Sequence, residues 1–209
     1  MKALEDLQAH YPDLEPSMHT ISDTCDLIVT GYMNGGKVLT CGNGGSAADS
    51  EHIVGELLKS FEKVRPLSDD ITGKIKSAYP DLESRFAENL QMPLPAISLT
   101  SHFAFSTAFG NDVDPAFTFA QALLGLGKAG DVLLGLTTSG NSENVVLAAK
   151  LGKALGIRTV GLTGEDGGEL LNICDLCIRV PAARTYRVQE YHIAVYHAIC
   201  RAVEDSFFS

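Results

Sequence analysis

Two stretches of the chain repeat one arrangement, in which a short β-rich run leads into a loop of small polar residues and then into a helical stretch. The first run, residues 37–41, is broken by the glycines of residues 42–45. The second run, residues 132–136, leads into the hydroxyl-rich residues 137–142. Strands that alternate with helices in this way predict a parallel sheet covered on both faces, and therefore an α/β fold.

The rest of the chain continues the alternation. Further strands are predicted at 96–99, 159–162 and 176–180, and helices at 18–33, 47–61, 103–109, 117–126, 143–155 and 184–207. Residues 67–92 stand apart, because they are polar, carry charges of both signs and contain no strong strand pattern. We expect them to form a helical insertion or lid, and a solvated surface helix is the alternative.

Length, charge and cysteine content exclude several functional classes. The chain has 209 residues, 45% of them hydrophobic, which suits a single domain with one sizeable core. Its net charge of −10 without a basic stripe argues against nucleic acid as a partner. No apolar run approaches the ~20 residues of a membrane helix, and the acidic start does not resemble a signal peptide. The five cysteines have scattered spacing, which indicates free thiols in a reducing compartment and predicts a cytoplasmic protein.

Both polar loops have the composition of an anion site. Ligands of parallel sheets collect beyond the carboxyl ends of the strands, where helix N-termini and free N–H groups favour negative charge. Residues 41–46 offer backbone amides, an asparagine and a serine, and residues 137–142 offer four hydroxyls. Ser142 also stands where a helix N-cap is expected. Turn and cap chemistry would explain one such loop, but two in one sheet indicate a small phosphorylated ligand.

Acid/base and metal-binding side chains occur at two places. His52 and Glu56 are four residues apart and share a helix face, which suits two ligands of one metal ion or an ordinary surface pair. On the last helix, Gln189 and His197 diverge by about 80° and can flank one edge, whereas His192 lies about 140° from His197 and is expected to point elsewhere. A structural role is the alternative for each histidine.

These residues together resemble those of the sugar isomerase (SIS) domain, and more narrowly those of the phosphoheptose isomerase family. The resemblance covers residues 18–205 apart from 67–92, and its most specific stretches are CGNGGSAADSEH, FGND, GDVLLGLTTSGNSENV, LTGEDGG and RVQEYHIAVYH. It implies a single SIS-type domain over residues 1–209, a flavodoxin-like three-layer sandwich assembled as a homotetramer with active sites between subunits. It also implies aldose–ketose isomerisation of sedoheptulose 7-phosphate to D-glycero-D-manno-heptose 7-phosphate through an enediol, with one zinc ion in each subunit.

The resemblance also implies roles for individual residues. Glu56 and His197 would be the catalytic acid/base pair. The zinc ligands would be His52, Glu56, Gln189 and His197. The substrate-binding residues would be Asn43, Gly44, Gly45, Ser46, Asn111, Asp112, Thr137, Thr138, Ser139, Ser142 and Gln189, with the hydroxyl loop on the phosphate.

Two departures and two alternatives bear on this interpretation. Ser60 stands where related isomerases usually carry an arginine, and Tyr186 stands where they carry a small or acidic residue. Both differences concern the sugar more than the reaction, so an isomerase for a different sugar phosphate is one alternative. A non-enzymatic SIS-domain adaptor of the replication-initiator-binding type is the other. The presence of both Glu56 and His197 favours an enzyme, and the chain has no room for the extra domain of a sugar-phosphate sensor.

Overall fold

The computed structural model describes residues 2–208, which form ten α-helices, five strands and two 3₁₀ helices. The helices are α1 (Lys2–His10), α2 (Met18–Met33), α3 (Gly45–Leu58), α4 (Asp69–Ala78), α5 (Glu83–Asn89), α6 (Phe103–Asp112), α7 (Thr118–Leu126), α8 (Glu143–Ala154), α9 (Leu170–Ile173) and α10 (Thr185–Phe207). The strands are β1 (Val38–Gly42), β2 (Ala96–Ser98), β3 (Val132–Leu136), β4 (Arg158–Thr163) and β5 (Leu176–Arg179). The 3₁₀ helices are Pro12–Ser17 and Pro115–Phe117.

The strands form one parallel sheet in the order β2-β1-β3-β4-β5, which confirms the predicted α/β fold. Thr40 of β1 lies opposite Ser98 on one side and Leu134 on the other. This is the strand order of flavodoxin-like folds, and it reverses direction between β1 and β3. Ligands of such sheets bind in the crevice at this switch point, beyond the carboxyl ends of the two strands.

Successive residues of each strand face opposite sides of the sheet and enter two separate cores. Leu134 packs in a cluster with Ile21 and Val195, on the side covered by α1, α2, α3 and α10. Leu133 packs in the other cluster with Leu123 and Val145, on the side covered by α7 and α8. The chain is therefore a three-layer sandwich with its central sheet buried on both faces.

Most predicted elements lie where the sequence places them. The bounds of α2 and β3 agree with the prediction at every residue. Helix α3 differs, since it begins at Gly45 rather than 47 and ends at Leu58 rather than 61. Gly44 has φ +57, and this left-handed turn allows the helix to start directly after the glycines. Within the segment 67–92 the chain forms α4 and α5, and neither helix has a buried residue.

Between residues 2 and 208, no helix combines the length and the apolar character needed to cross a membrane.

Candidate active site

The two polar loops lie side by side at the switch point of the sheet. β1 ends at Gly42 and β3 at Leu136, and these two residues are direct partners in the parallel register. The first loop is also joined to the start of α8, because the side-chain amides of Asn43 and Asn144 exchange two hydrogen bonds of 2.8 and 3.0 Å. The sequence motifs therefore form one continuous surface above the carboxyl ends of two neighbouring strands.

Three hydroxyls of the second loop gather around one point. The Oγ1 of Thr137 lies 2.7 Å from the Oγ of Ser142 and 3.5 Å from that of Ser139. Ser142 is the N-cap residue of α8, as expected, but its hydroxyl makes no capping hydrogen bond and points to Thr137 instead. The predicted N-cap position is thus confirmed, while the Ser142 hydroxyl is engaged within the loop. Hydroxyl donors and the start of a twelve-residue helix thus face the same space, which suits an anion.

A third loop, residues 164–169, supports the hydroxyl loop from behind. The N–H of Gly164 donates to the carbonyl of Thr138 (3.1 Å), and the N–H of Glu169 donates to Oδ1 of Asn141 (2.9 Å). Gly140 has φ +70, and a Cβ added there would lie 2.7 Å from the nitrogen of Gly168 and still closer to the carbonyl of Gly167. The two loops therefore touch backbone to backbone, and glycine at position 140 is what permits the contact.

His52, Glu56 and His197 converge between α3 and α10. The Nε2 of His52 lies 3.1 Å from Oε1 of Glu56, so the two share a helix face as their spacing predicts. The same nitrogen lies 3.5 Å from Nε2 of His197, which α10 brings against α3. Glu56 is 9% exposed, and its second oxygen accepts a 2.8 Å hydrogen bond from Nζ of Lys59. The acid/base candidates are thus neighbours within one chain.

Two residues that the sequence reasoning did not identify hold His52 from behind. The Tyr196 hydroxyl lies 2.9 Å from Nδ1 of His52 and donates to Oδ1 of Asp49 at 3.3 Å. Burial raises the pKa of Asp49, and it also raises that of Tyr196 well above its ordinary value. Asp49 is three residues before His52 on α3, and Tyr196 precedes His197. Their closeness in sequence to His52 and His197 is the one feature of the sequence that indicates a role for them.

The charge of His197 is set by its surroundings. Burial lowers its pKa, and the nearby His52 lowers it further, whereas Glu56 opposes both effects. The resulting pKa is below the ordinary histidine value, so a neutral imidazole is favoured at pH 7. A neutral ring can both accept and donate a proton, which is the property that acid/base chemistry on a sugar oxygen requires.

The remaining predicted site residues lie in two other places. Gln189 lies against the start of α3, where a Cβ added at Gly45 would be 2.8 Å from its Cδ and nearer still to its Nε2. The structure therefore places Gln189 at the first loop. Asn111 and Asp112 are exposed at the end of α6, and the amide of Asn111 donates to Asp112 (2.8 Å). His192 is fully buried in α10, away from His197 as the helical angle predicts.

A cavity of about 1210 Å³ lies between α1 and α10 rather than at the loops. His197 is on its wall together with Tyr11, Tyr191 and Arg201, but no residue of either polar loop lines it. The hydroxyl cluster at the start of α8 and the acid/base cluster between α3 and α10, rather than this cavity, make up the candidate active site.

Among residues 2–208, no three His, Cys, Asp or Glu side chains are arranged as a metal site. His52, Glu56 and His197 come nearest to one, since His52 is within 3.5 Å of both others. The Glu56 carboxylate is partly directed to Lys59. All five cysteines are free thiols, as predicted, and two of them, Cys174 and Cys177, lie in or next to β5.

Comparison with known proteins agrees with this arrangement. The family model described as the SIS domain matches residues 7–92 and 86–164. A phosphoheptose isomerase of Clostridium acetobutylicum is 40% identical over 188 residues, which cover 90% of this chain and 83% of the relative. One from Nitratiruptor is 37% identical and covers 99% of this chain and 91% of the relative.

Solved structures show the same similarity. The phosphoheptose isomerase of Neisseria gonorrhoeae superposes with a TM-score of 0.73 at 33% identity, covering 95% of this chain and 93% of that one. The phosphoheptose isomerase of Francisella tularensis gives a TM-score of 0.72 at 29% identity, with 98% and 91% of the two chains covered. The family-model match includes both polar loops, His52 and Glu56.

Proposed function

Because the chain belongs to the SIS domain family, and within it to the phosphoheptose isomerases, it is a sugar-phosphate isomerase, and we propose that it converts sedoheptulose 7-phosphate to D-glycero-D-manno-heptose 7-phosphate. One observation carries the chemical part of the proposal. Glu56 and His197 both lie within 3.5 Å of His52, between α3 and α10. An adaptor that only binds other proteins would not need this acid/base set.

The reaction requires proton transfers at two neighbouring carbons. A proton leaves C1 of the ketose and is returned to C2, while the oxygen on C1 loses a proton and the oxygen on C2 gains one. Glu56 is suited to the carbon-bound proton, because a largely buried carboxylate can take it up and deliver it without exchange into bulk water. His197 is suited to the oxygen protons, since its lowered pKa favours the neutral ring.

The hydroxyl loop is proposed to hold the phosphate. Thr137, Ser139 and Ser142 present their hydroxyls to one point at the start of α8. Hydroxyl and backbone donors with a helix dipole bind a phosphate monoester without a cation in contact. Asn43, Gly44, Gly45 and Ser46 of the first loop, with Gln189 against Gly45, would then line the sugar next to the phosphate. Asn111 and Asp112 are proposed to contact the sugar, although they are exposed at the end of α6.

A zinc ion is proposed at His52, Glu56 and His197. Gln189, the fourth expected ligand, lies instead against Gly45 at the first loop. Two imidazoles and a carboxylate are typical zinc donors, and ligand atoms around tetrahedral zinc are about 3.3 Å apart. The observed separations of 3.1 and 3.5 Å are of this size. If Tyr196 gives its proton to Asp49, the Nδ1 of His52 must donate to Tyr196, which leaves Nε2 as a bare acceptor facing Glu56. A cation between these two acceptors would relieve their repulsion. When bound, zinc supplies a Lewis acid for negative charge on a sugar oxygen.

The chain is also proposed to form a cytoplasmic homotetramer with sites between subunits. Large apolar side chains are exposed on α6 and α7, including Phe103 (80%) and Leu124 (54%). Such residues are typical of surfaces that pack against another subunit. Five free thiols suit a reducing compartment. Light scattering coupled to gel filtration tests the assembly, and a monomer at micromolar concentration would contradict it.

Turnover of a substrate panel tests the proposed reaction. The protein is incubated with ketose 7-, 6- and 5-phosphates, and the aldose is detected by NMR. We expect the heptose phosphate to be turned over fastest. Absence of turnover for every member, with the protein folded, would refute the isomerase assignment, and preference for a shorter ketose would refute the heptose.

Glu56→Gln tests the role of the carboxylate. The variant should lose at least about 100-fold in kcat and still bind the substrate, because general acid/base groups contribute about 10²–10⁴-fold. Glu5→Gln, an exposed position on α1, is the matched control and should leave kcat unchanged. Retained activity in Glu56→Gln would remove Glu56 from the acid/base role.

A further inference from the structure

Among residues 2–208, one ion pair is fully enclosed, and it lies next to the end of α3 that carries Glu56. Arg65 is 1% exposed and Glu204 is 0% exposed, and Nε of Arg65 donates to Oε1 of Glu204 at 2.7 Å. Removing two charges from water is costly, so a buried pair is maintained only where further hydrogen bonds satisfy both partners. The partners of these further hydrogen bonds show which parts of the chain Arg65 and Glu204 connect.

Glu204 binds the turn that follows α3. Its carboxylate accepts hydrogen bonds from the backbone N–H groups of Phe61 (2.8 Å), Glu62 (2.8 Å) and Lys63 (3.2 Å), in addition to Arg65. Burial alone would raise its pKa, but these N–H donors and the guanidinium outweigh burial and lower it. The charged carboxylate therefore fixes residues 61–63 against α10.

Arg65 binds the end of α3 itself. Its Nη1 donates to the carbonyl of Leu57 (2.7 Å) and its Nη2 to the carbonyl of Glu56 (3.2 Å). The last carbonyls of a helix lack partners within the helix, so these bonds complete the final turn of α3. The ring of Phe208 lies 5.0 Å from the guanidinium carbon and covers it. The backbone that carries the Glu56 side chain is thus held by Arg65.

The same ion pair also holds the helix of the second acid/base residue. Glu204 is seven residues, or about two turns, after His197 and lies on nearly the same face of α10. Movement of Glu204 relative to α3 therefore changes where His197 stands relative to Glu56. Glu56 and His197 are thus connected through the side chains of Arg65 and Glu204 and through the backbones of α3 and α10.

We propose that Arg65 and Glu204 are positioning residues, which set the placement of Glu56 relative to His197 and thereby the rate of proton transfer. The inference rests on the proposed isomerase function, and neither residue is required to touch the substrate. A purely structural ion pair would contribute stability without affecting kcat more than any other buried pair does.

A second buried pair provides a matched control. Asp131 is 0% exposed, and its carboxylate accepts hydrogen bonds from the N–H and Nζ of Lys37 and from the N–H of Lys128. It immediately precedes β3 at the amino edge of the sheet, and its side-chain hydrogen-bond partners lie outside α3 and α10. Asp131→Asn removes a comparably enclosed charge whose side-chain hydrogen bonds reach neither of the helices that carry the acid/base residues.

The experiment compares Arg65→Lys, Glu204→Gln and Asp131→Asn for unfolding midpoint, kcat and KM. Lysine keeps the charge at position 65, but a single ammonium lacks the planar fork that reaches Glu204 and both carbonyls. We expect all three variants to lose stability. Arg65→Lys and Glu204→Gln should lower kcat about 30- to 100-fold with KM within threefold, because a displacement of about 1 Å can cost 10²-fold in rate. Asp131→Asn should keep kcat within threefold of the unmodified protein.

A folded Arg65→Lys with unchanged kcat, or a loss no greater than that of Asp131→Asn, would overturn the proposal. If the unmodified protein turns over no sugar phosphate, that result refutes the isomerase function and not the positioning role. The positioning role is then tested by a measurement that does not depend on turnover. Proton–nitrogen NMR of the His52 and His197 rings needs no substrate. Their signals should shift in Arg65→Lys and stay in place in Asp131→Asn, and unshifted signals in Arg65→Lys would contradict the positioning role.

Discussion

Substitution of Gly140 by alanine tests whether the hydroxyl loop depends on the loop behind it. Alanine at this position meets two costs. The residue has φ +70, and a left-handed conformation costs an L-residue about 1–2 kcal/mol. The new Cβ would also lie 2.7 Å from the nitrogen of Gly168, where the obstacle is backbone rather than a movable side chain. The two loops must separate by about 1 Å to restore ordinary contact.

The contact adds a second contribution to the loss of stability. Overpacking of this kind costs about 1–3 kcal/mol, so Gly140→Ala should lower the free energy of unfolding by about 2–5 kcal/mol in total. Gly35→Ala separates the two contributions. Gly35 has a similar φ of +72, but a Cβ there would meet nothing within 4 Å. It should lose only the conformational part, about 1–2 kcal/mol.

The catalytic consequence is measured alongside stability. Displacement of Thr137–Ser142 hydroxyls by about 1 Å should lower kcat/KM about 100-fold in Gly140→Ala, mostly through KM, because the phosphate donors no longer converge. Gly35→Ala should keep kcat/KM within twofold. Urea unfolding and initial rates on the sugar phosphate provide both readouts. Equal stability losses in the two variants, together with an unchanged KM in Gly140→Ala, would refute the reasoning.

Three further predictions concern single side chains. Ser142→Ala should raise KM about tenfold or more, since a hydrogen bond to a charged group is worth about 1.5–3 kcal/mol. The free energy of unfolding of this variant should change by less than about 1 kcal/mol, because the hydroxyl does not cap α8. A larger loss of stability would contradict this prediction. Burial lowers the pKa of His192 to about 4, so the unfolded chain binds a proton that the folded chain does not between about pH 6.5 and 4. Stability should therefore fall by about 3 kcal/mol as pH decreases through this range, and His192→Leu should flatten that dependence in urea titrations; an unaltered slope would contradict the assignment. Lys59→Met should raise zinc affinity about fivefold, because the exposed ammonium no longer competes for Glu56. Metal analysis after dialysis measures the zinc content of the variant and of the unmodified protein. Equal zinc contents would contradict the prediction.

The sequence predicts the fold well where local pattern and tertiary packing agree. α2 is amphipathic with a glycine stop, and β3 is a continuous apolar run, so both have the predicted bounds. The end of α3 is different, because residues 61–63 are bound by Glu204, some 140 residues later in the chain. No local pattern contains that information. The four-residue helix α9 was not predicted, since so short an element has no measurable periodicity.

The active site divides in the same way. The hydroxyl loop and the His52–Glu56 face follow from spacing on single elements, and the structure forms both. The contact of His52 with Tyr196 joins residues 144 positions apart, and its identification needs the packing of α10 on α3. Ser142 shows a further limit, since its position in the chain is that of a helix cap while its hydroxyl bonds to Thr137.

The inserted segment 67–92 has a consequence for how chains of this kind can vary. Its two ends meet, because the N–H of Met92 donates to the carbonyl of Arg65 (2.9 Å) and the N–H of Leu94 donates to that of Leu57 (2.9 Å). Neither α4 nor α5 contributes a buried side chain. For a loop with fixed ends, doubling its length costs only about 0.6 kcal/mol in closure entropy. The segment is therefore a position that tolerates insertion and deletion. A tight turn or an inserted domain can replace the two helices while the central sheet and the helices packed on it stay unchanged.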